Sequence, residues 1–279
     1  MNELQRLLVS HWSEVVTFLL VLGRTSALVV GAPFWGGASS PRMVRVIIAV
    51  GLSAAIYPVA PPAGSIQGHE IPSLVTLLVA LGREAFIGLA IGWTAQLLFA
   101  GVRMAGQQIE IKMGIGLSQL VDPHEGGQTS LLPALLDLLA SMVFLAMNGH
   151  HLLVRALVSS YQTFPLMGAA PAASAGASLT PGFAELLRFV VESTSGIFPI
   201  ALRVCAPVVI GSVLADVVLG VMSRTTPQFN LFAVILPVQL AFGLVLLFLT
   251  LPLLVWFCVD QVSVMSDQLS TLFQPIANY

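Results

Sequence analysis

Charge is what this sequence has least of. Only 9% of its 279 residues are Asp, Glu, Lys or Arg, where a soluble domain carries about 25%. Its 11 basic and 13 acidic side chains cannot cover a soluble surface of this size, so water is not its main solvent. With a net charge of −2 and no basic patch, nucleic acid is not an expected partner. Cysteine is nearly absent. Cys205 and Cys258 stand singly inside apolar runs, which excludes a disulfide framework and reads as small core residues.

Motifs of chemistry are missing too. His11, His69, His124, His150 and His151 form no His-x-x-His, and no Cys-x-x-Cys spacing exists, so no metal site is expected. There is no Gly-x-Ser-x-Gly and no phosphate-cradling loop. Gly114-Ile115-Gly116 lacks the third glycine of a dinucleotide fingerprint. Catalytic residues and cofactors are therefore expected to be none. The N-terminus, MNELQRLLVSHWSE, lacks a positive n-region, so the first apolar run is expected to be retained rather than cleaved.

What is there is hydrophobic. Mean hydropathy is +0.93 and 57% of residues are hydrophobic. Crossing a bilayer core takes roughly 20 mostly uncharged residues. Six runs approach or exceed that: Val15–Phe34, Val44–Val59, Leu74–Val102, Leu131–Met147, Phe189–Met222 and Phe229–Val259. The expectation is an all-α membrane protein of about six long, kinked helices arranged as helical hairpins. Phe189–Met222 carries Pro199 and Pro207, and its partner run carries Pro237 and Pro252, which kink or break helices. Breaker-rich stretches lie at Trp35–Arg45, Ala60–Pro72 and Ala169–Pro181, and SRTTPQFN (223–230) reads as the turn of a long hairpin. Arginine and lysine favour the odd-numbered connections, which would put those in the cytoplasm and both termini outside.

Ionisable groups inside apolar runs cost roughly 2.5–3.5 kcal/mol each. Arg24, Arg83, Glu84, Asp137, Arg203 and Asp216 qualify. Neighbouring Arg83 and Glu84 diverge by about 100° on a helix, so each needs its own partner. Two readings stay open: structural ion pairs between helices, or a relay grouping Glu84, Asp137 and Asp216 around a cavity. Gly88 and Gly92 form a GxxxG, which permits close helix contact.

The segment GQQIEIKMGIGLSQLVDPHEGG (106–127) holds the only lysine, Lys112, with Glu110, Asp122 and Glu125. Its apolar residues would avoid water, its glycines loosen a helix, and Asp122-Pro123 ends it. Non-helical apolar chain at membrane depth is tolerated only inside protein or along a cavity. The segment is then either a re-entrant structural loop or a movable obstruction in a pore.

REAFIGLAIGW, VRMAGQQIEIKMGIGLSQLVDP, FLAMNGHH, SSYQTFP and SRTTPQFNLFAVILP occur in that order from Arg83 to Pro237. In this the chain resembles the FliR family, the export-gate component of flagellar type III secretion, whose injectisome counterpart is SctT. The resemblance implies a subunit that assembles with FliP-like and FliQ-like subunits into a closed helical ring for unfolded export substrates. Much of that ring stands above the bilayer plane. It implies a FliP-like front region (1–168) containing the segment 106–127, a small-residue linker (169–185), and a FliQ-like hairpin (186–279) turning at 223–230. It further implies a pore plug at Met113, Gly114, Ile115, Gly116, Leu117, Ser118, Gln119, Leu120 and Val121. Some relatives carry phenylalanine where this chain has Leu117 and Leu120, so apolar bulk is kept and aromatic area lost. Buried polar groups expected to serve assembly are Arg83, Glu84, Arg103, Glu110 and Asp137. A FlhB-like subunit is expected to meet Arg224, Thr225, Pro227, Gln228 and Asn230. Membrane lipid, the bacterial inner membrane and the flagellar basal body are the implied surroundings. The rival reading is a secondary transporter with buried charges at a midplane site.

Overall fold

A computed structural model describes residues 3–36, 41–60, 73–115, 130–166, 181–225 and 231–273. Every regular element among them is a helix: α1 (Glu3–Gly31), α2 (Pro33–Gly36), α3 (Arg42–Ile56), α4 (Leu74–Lys112), α5 (Leu131–Ala146), α6 (Gly149–Thr163), α7 (Pro181–Ser195), α8 (Ile197–Thr225) and α9 (Leu231–Phe273). Four stretches are long and apolar enough to cross a membrane: Trp12–Gly31, Leu74–Lys112, Ala184–Met222 and Pro237–Phe273. A fifth arises if α5 and α6, bent by 64° at their junction, count as one broken span. The chain is an all-α membrane protein.

The helix inventory departs from the six apolar runs in three places. The run Val44–Val59 becomes α3, whose 15 residues reach about 22 Å, short of a core of about 30 Å. The run Phe189–Met222 is interrupted at Gly196 between α7 and α8. Pro199 then falls in the first turn of α8, where its missing N–H costs nothing. Last, α6 matches no apolar run. It buries Gly149, Leu153, Ala156, Leu157, Ser160 and Tyr161, one helical face, and exposes His151 and Arg155. Asn148 makes the α5–α6 bend possible, with φ 56° and ψ 31°, a left-handed conformation that asparagine tolerates better than most residues.

The chain divides into two compact units. One comprises residues 1–96, 148–194 and 264–279. Here α1 packs on the first half of α4 through glycines. A Cβ on Gly92 would stand 2.8 Å from the carbonyl carbon of Gly31, and one on Gly88 would collide with the Arg24 carbonyl oxygen. The GxxxG thus brings two backbones together. Phe18 meets Tyr57 edge to face at 6.0 Å. Trp93 Nε1 donates to Thr194 Oγ1 at 3.2 Å, and Phe164 packs edge to face on Phe273 at 6.4 Å.

The other unit comprises residues 97–147 and 195–263: the second half of α4, α5, α8 and most of α9. α8 and α9 run antiparallel. Gln239 Nε2 donates to Asp216 Oδ1 at 2.6 Å, and a Cβ on Gly211 would collide with the Leu246 side chain. Cys205 and Cys258 are free and buried.

Gly88→Val would press against main chain, which only backbone movement can relieve. The expected cost is about 1–3 kcal/mol, read as a lower thermal unfolding midpoint in detergent. Gly82→Ala, in the same helix but with open space around its Cβ, should leave the midpoint unchanged or slightly higher. Equal behaviour of the two variants would remove the helix crossing as the constraint.

Candidate functional site

The site is the pair of helix ends that flank residues 116–129. α4 stops because Gly114 adopts φ 76°, the left-handed position that glycine fills at helix C-termini. Met113 N–H still reaches Ile109 O at 2.9 Å, and Gly114 N–H turns to Ile111 O at 3.1 Å. Lys112 in the last turn complements the helix dipole. α5 begins at Leu131 with Ser130 in the capping position, yet the Ser130 side chain does not cap its own helix. Instead the Glu110 carboxylate of α4 accepts hydrogen bonds from the Ser130 hydroxyl and the Leu131 N–H. A carboxylate suits the positive end of a helix, and Glu110 is buried there.

Further contacts continue this antiparallel register away from the loop. A Cβ on Gly106 would lie 2.7 Å from Pro133 Cα. Arg103 Nη1 meets Asp137 Oδ1 at 3.3 Å, each about one-third exposed. Phe99 and Phe144 pack edge to face with centroids 5.6 Å apart. The two helices therefore form a clamped hairpin. The half-exposed ion pair adds about 0–1 kcal/mol; the buried aromatic pair and the backbone approach at Gly106 fix the geometry.

The end of α4 also rests on α8 and α9. The Met113 side chain is buried in a notch over Gly243, where a Cβ would stand 2.5 Å from Met113 Cγ. Lys112 Nζ lies 3.9 Å from Asp216 Oδ2, each side chain 38% exposed.

A second polar node lies in the other unit. Arg24, at 0% exposure, engages all three of its guanidinium nitrogens. Its Nε donates to Glu84 Oε2 at 2.6 Å, Nη1 to Ser160 Oγ at 2.9 Å and Nη2 to Phe164 O at 2.8 Å. Nη2 also pairs with Glu84, and the Arg24 Cζ stands 4.2 Å over the Tyr161 ring. Three helices meet at this cation, which sits at the C-terminal end of α6, where positive charge is favoured.

The singled-out residues fall as follows. Glu84 and Glu110 are buried, and Arg83 is half-buried. Met113 is anchored, while Ile115 is half-buried; positions 116–121 of the plug lie outside the described residues. Arg224 and Thr225 close α8, and Pro227, Gln228 and Asn230 lie outside the described residues. The three carboxylates of the relay reading each hold a separate cation: Glu84 has Arg24, Asp137 has Arg103 and Asp216 has Lys112. Sequence reasoning placed Arg24 among the groups expected to pair between helices without naming its partner, and it gave no role to Ser160, Tyr161, Gln239 or Gly243. Polar Ser160 and Tyr161 on the apolar face of α6 were a readable signal.

This arrangement defines a class: a helical membrane protein whose polar groups join helices to one another. The family of bacterial export proteins, family 1, matches residues 15–265, and the chain belongs to it. The flagellar biosynthetic protein FliR of Bacillus subtilis strain 168 is 32% identical over 82% of this chain and 84% of its own length. FliR of Escherichia coli K12 is 30% identical over 84% of each chain. FliR of Aquifex aeolicus is 28% identical over 86% of this chain and 87% of its own. The resemblance drawn from the motifs is thus borne out over most of the length.

Removing one partner of a buried ion pair strands the other, at a cost of about 3–5 kcal/mol. Arg24→Met and Glu84→Gln are each expected to lower the yield of folded protein and its unfolding midpoint sharply. The double variant Arg24→Met/Glu84→Leu should recover more than half of the loss. A double variant as poor as the sum of the singles would show that the pair is not the unit.

Proposed function

We propose that this chain is a component of the flagellar protein-export apparatus, a non-enzymatic subunit that joins FliP-like and FliQ-like subunits around a pore for unfolded flagellar substrates. In this reading it resides in the inner membrane at the flagellar basal body. Residues 113–121 supply the apolar obstruction of the closed pore. The loop with Arg224, Thr225, Pro227, Gln228 and Asn230 meets a FlhB-like subunit.

The supporting observation is the clamped hairpin. Glu110, Gly106, Arg103 and Phe99 fix the end of α4 against α5. The sequence GLSQLV (116–121) follows directly on one of these two mutually braced helix ends. A stopper needs such support, because it must hold one position against a pore and return to it. Narrow apolar constrictions close pores by excluding water. A midplane transporter site would instead leave polar groups available to a substrate. Here Glu84, Asp137 and Asp216 are engaged with cations of the same chain.

Deleting 116–120 keeps every anchoring residue named above. The complex purified with its partner subunits should still assemble, and its conductance in a planar bilayer should rise at least several-fold over the parent. Gly116→Val should slow export without raising conductance. An assembled deletion variant as tight as the parent would overturn the stopper; a deletion that abolishes assembly would assign the segment to packing instead.

A further inference from the structure

α4 meets α8 tightly at Gly101, where a Cβ would stand 2.5 Å from Ile200 Cγ2 and 3.5 Å from the Ile197 carbonyl oxygen. The last turn of α4 meets the α8–α9 hairpin differently. Among the described residues, the contacts there are a flexible thioether, Met113, and a loose ion pair, Lys112 with Asp216. Met113 has three rotatable bonds and no branching, and it sits over a glycine whose missing Cβ makes the seat. Lys112 approaches Asp216 at 3.9 Å with both side chains 38% exposed. Asp216 itself is pinned from α9 by Gln239 at 2.6 Å. The acceptor is thus fixed to the hairpin, while the cation sits at the end of a flexible four-carbon stem. Immediately beyond, Gly114 at φ 76° ends the rigid helix.

We propose that Met113 over Gly243 and Lys112 on Asp216 form a releasable latch through which the α8–α9 hairpin positions the end of α4. Displacing the hairpin lifts Met113 from its notch and parts the ion pair together, since both receivers ride on the same hairpin. The consequence for transport rests on the stopper reading above: the latch sets the resting position of the residues that follow α4. Lys112 and Met113 are positioning residues that act through the segment after them. The arrangement also gives the chain's single lysine a role that an arginine would fill differently. A guanidinium grips a carboxylate through a planar fork, whereas an ammonium holds it as a point charge.

Disulfide trapping tests this directly. Met113→Cys and Gly243→Cys are combined in the full chain with Cys205→Ala and Cys258→Ala, in cells carrying the complete apparatus. A Cβ at 243 lies 2.5 Å from Met113 Cγ, within disulfide reach. Oxidation should reduce export of flagellar substrate at least tenfold without raising membrane leak, and reductant should restore it. Full export by chains shown to be cross-linked would overturn the latch. Lys112→Gln and Asp216→Asn should each raise the resting leak severalfold, and the swap Lys112→Asp/Asp216→Lys should bring it back toward the parent level. A swap as leaky as either single variant would also overturn the latch. If the 116–120 deletion shows no leak, the stopper reading fails alone. A cross-link that still stops export reversibly would then uphold the latch, and one that does not would end it.

Discussion

A guanidinium removed from both water and lipid must find partners around it, and the unit around α1, α4 and α6 is organised by that requirement. Arg24 meets it with Glu84, the Ser160 hydroxyl and the Phe164 carbonyl, which come from two other helix regions. None of these can shift without stranding a buried charge. The close crossing of α1 and α4 is part of the same solution. Gly88 lets α4 lie directly against the Arg24 backbone, and Glu84, one turn earlier on that helix, then falls within reach of the side chain. In an apolar interior that attracts helices only weakly, such a node supplies direction where hydrophobic burial does not.

α4 shows how one helix can serve two ends. Its 39 residues would extend about 58 Å, nearly twice a bilayer core. The first half carries Glu84, Gly88 and Gly92 and belongs to the unit of α1; the second carries Phe99, Arg103, Gly106 and Glu110 and belongs to the unit of α5. Arg103, Gly106 and Glu110 recur at intervals that keep them on the α5 side, so the hairpin is braced along its length. Glu110 closes it by doing for α5 what a capping residue normally does for its own helix. That use explains a carboxylate so near the end of an apolar helix, where it opposes the dipole of α4 itself.

Much of this was legible in the sequence. Low charge and long apolar runs define the all-α membrane class, and the ordered motifs define the family. The divergence of Arg83 and Glu84 is in keeping with Glu84 turning to Arg24, and the GxxxG implied the close crossing of α1 and α4. Pairing was not legible, because an ion pair between helices depends on rotation and depth that periodicity alone does not give. α6 was passed over because His150, His151 and Arg155 dilute its hydropathy, although its buried positions recur at helical spacing. α3 was overread, since apolar composition does not distinguish a span from a 15-residue helix packed beside α1. The parity on which the charge-based topology rests depends on whether α3 and the bent pair α5–α6 each count as a span.

The two polar nodes are built to opposite specifications. Arg24 and Glu84 are fully enclosed, so separating them leaves a bare charge with no solvent to receive it, and the pair acts as a permanent joint. Lys112 and Asp216 remain 38% exposed at 3.9 Å. Either group can be solvated when they part, and the cost is correspondingly about 0–1 kcal/mol. Enclosure would turn the second pair into a permanent joint like the first, because parting a buried pair strands a charge. Leaving it open makes sense where the end of α4 must be held in one arrangement and set free in another, and that end is the one from which residues 116–129 begin.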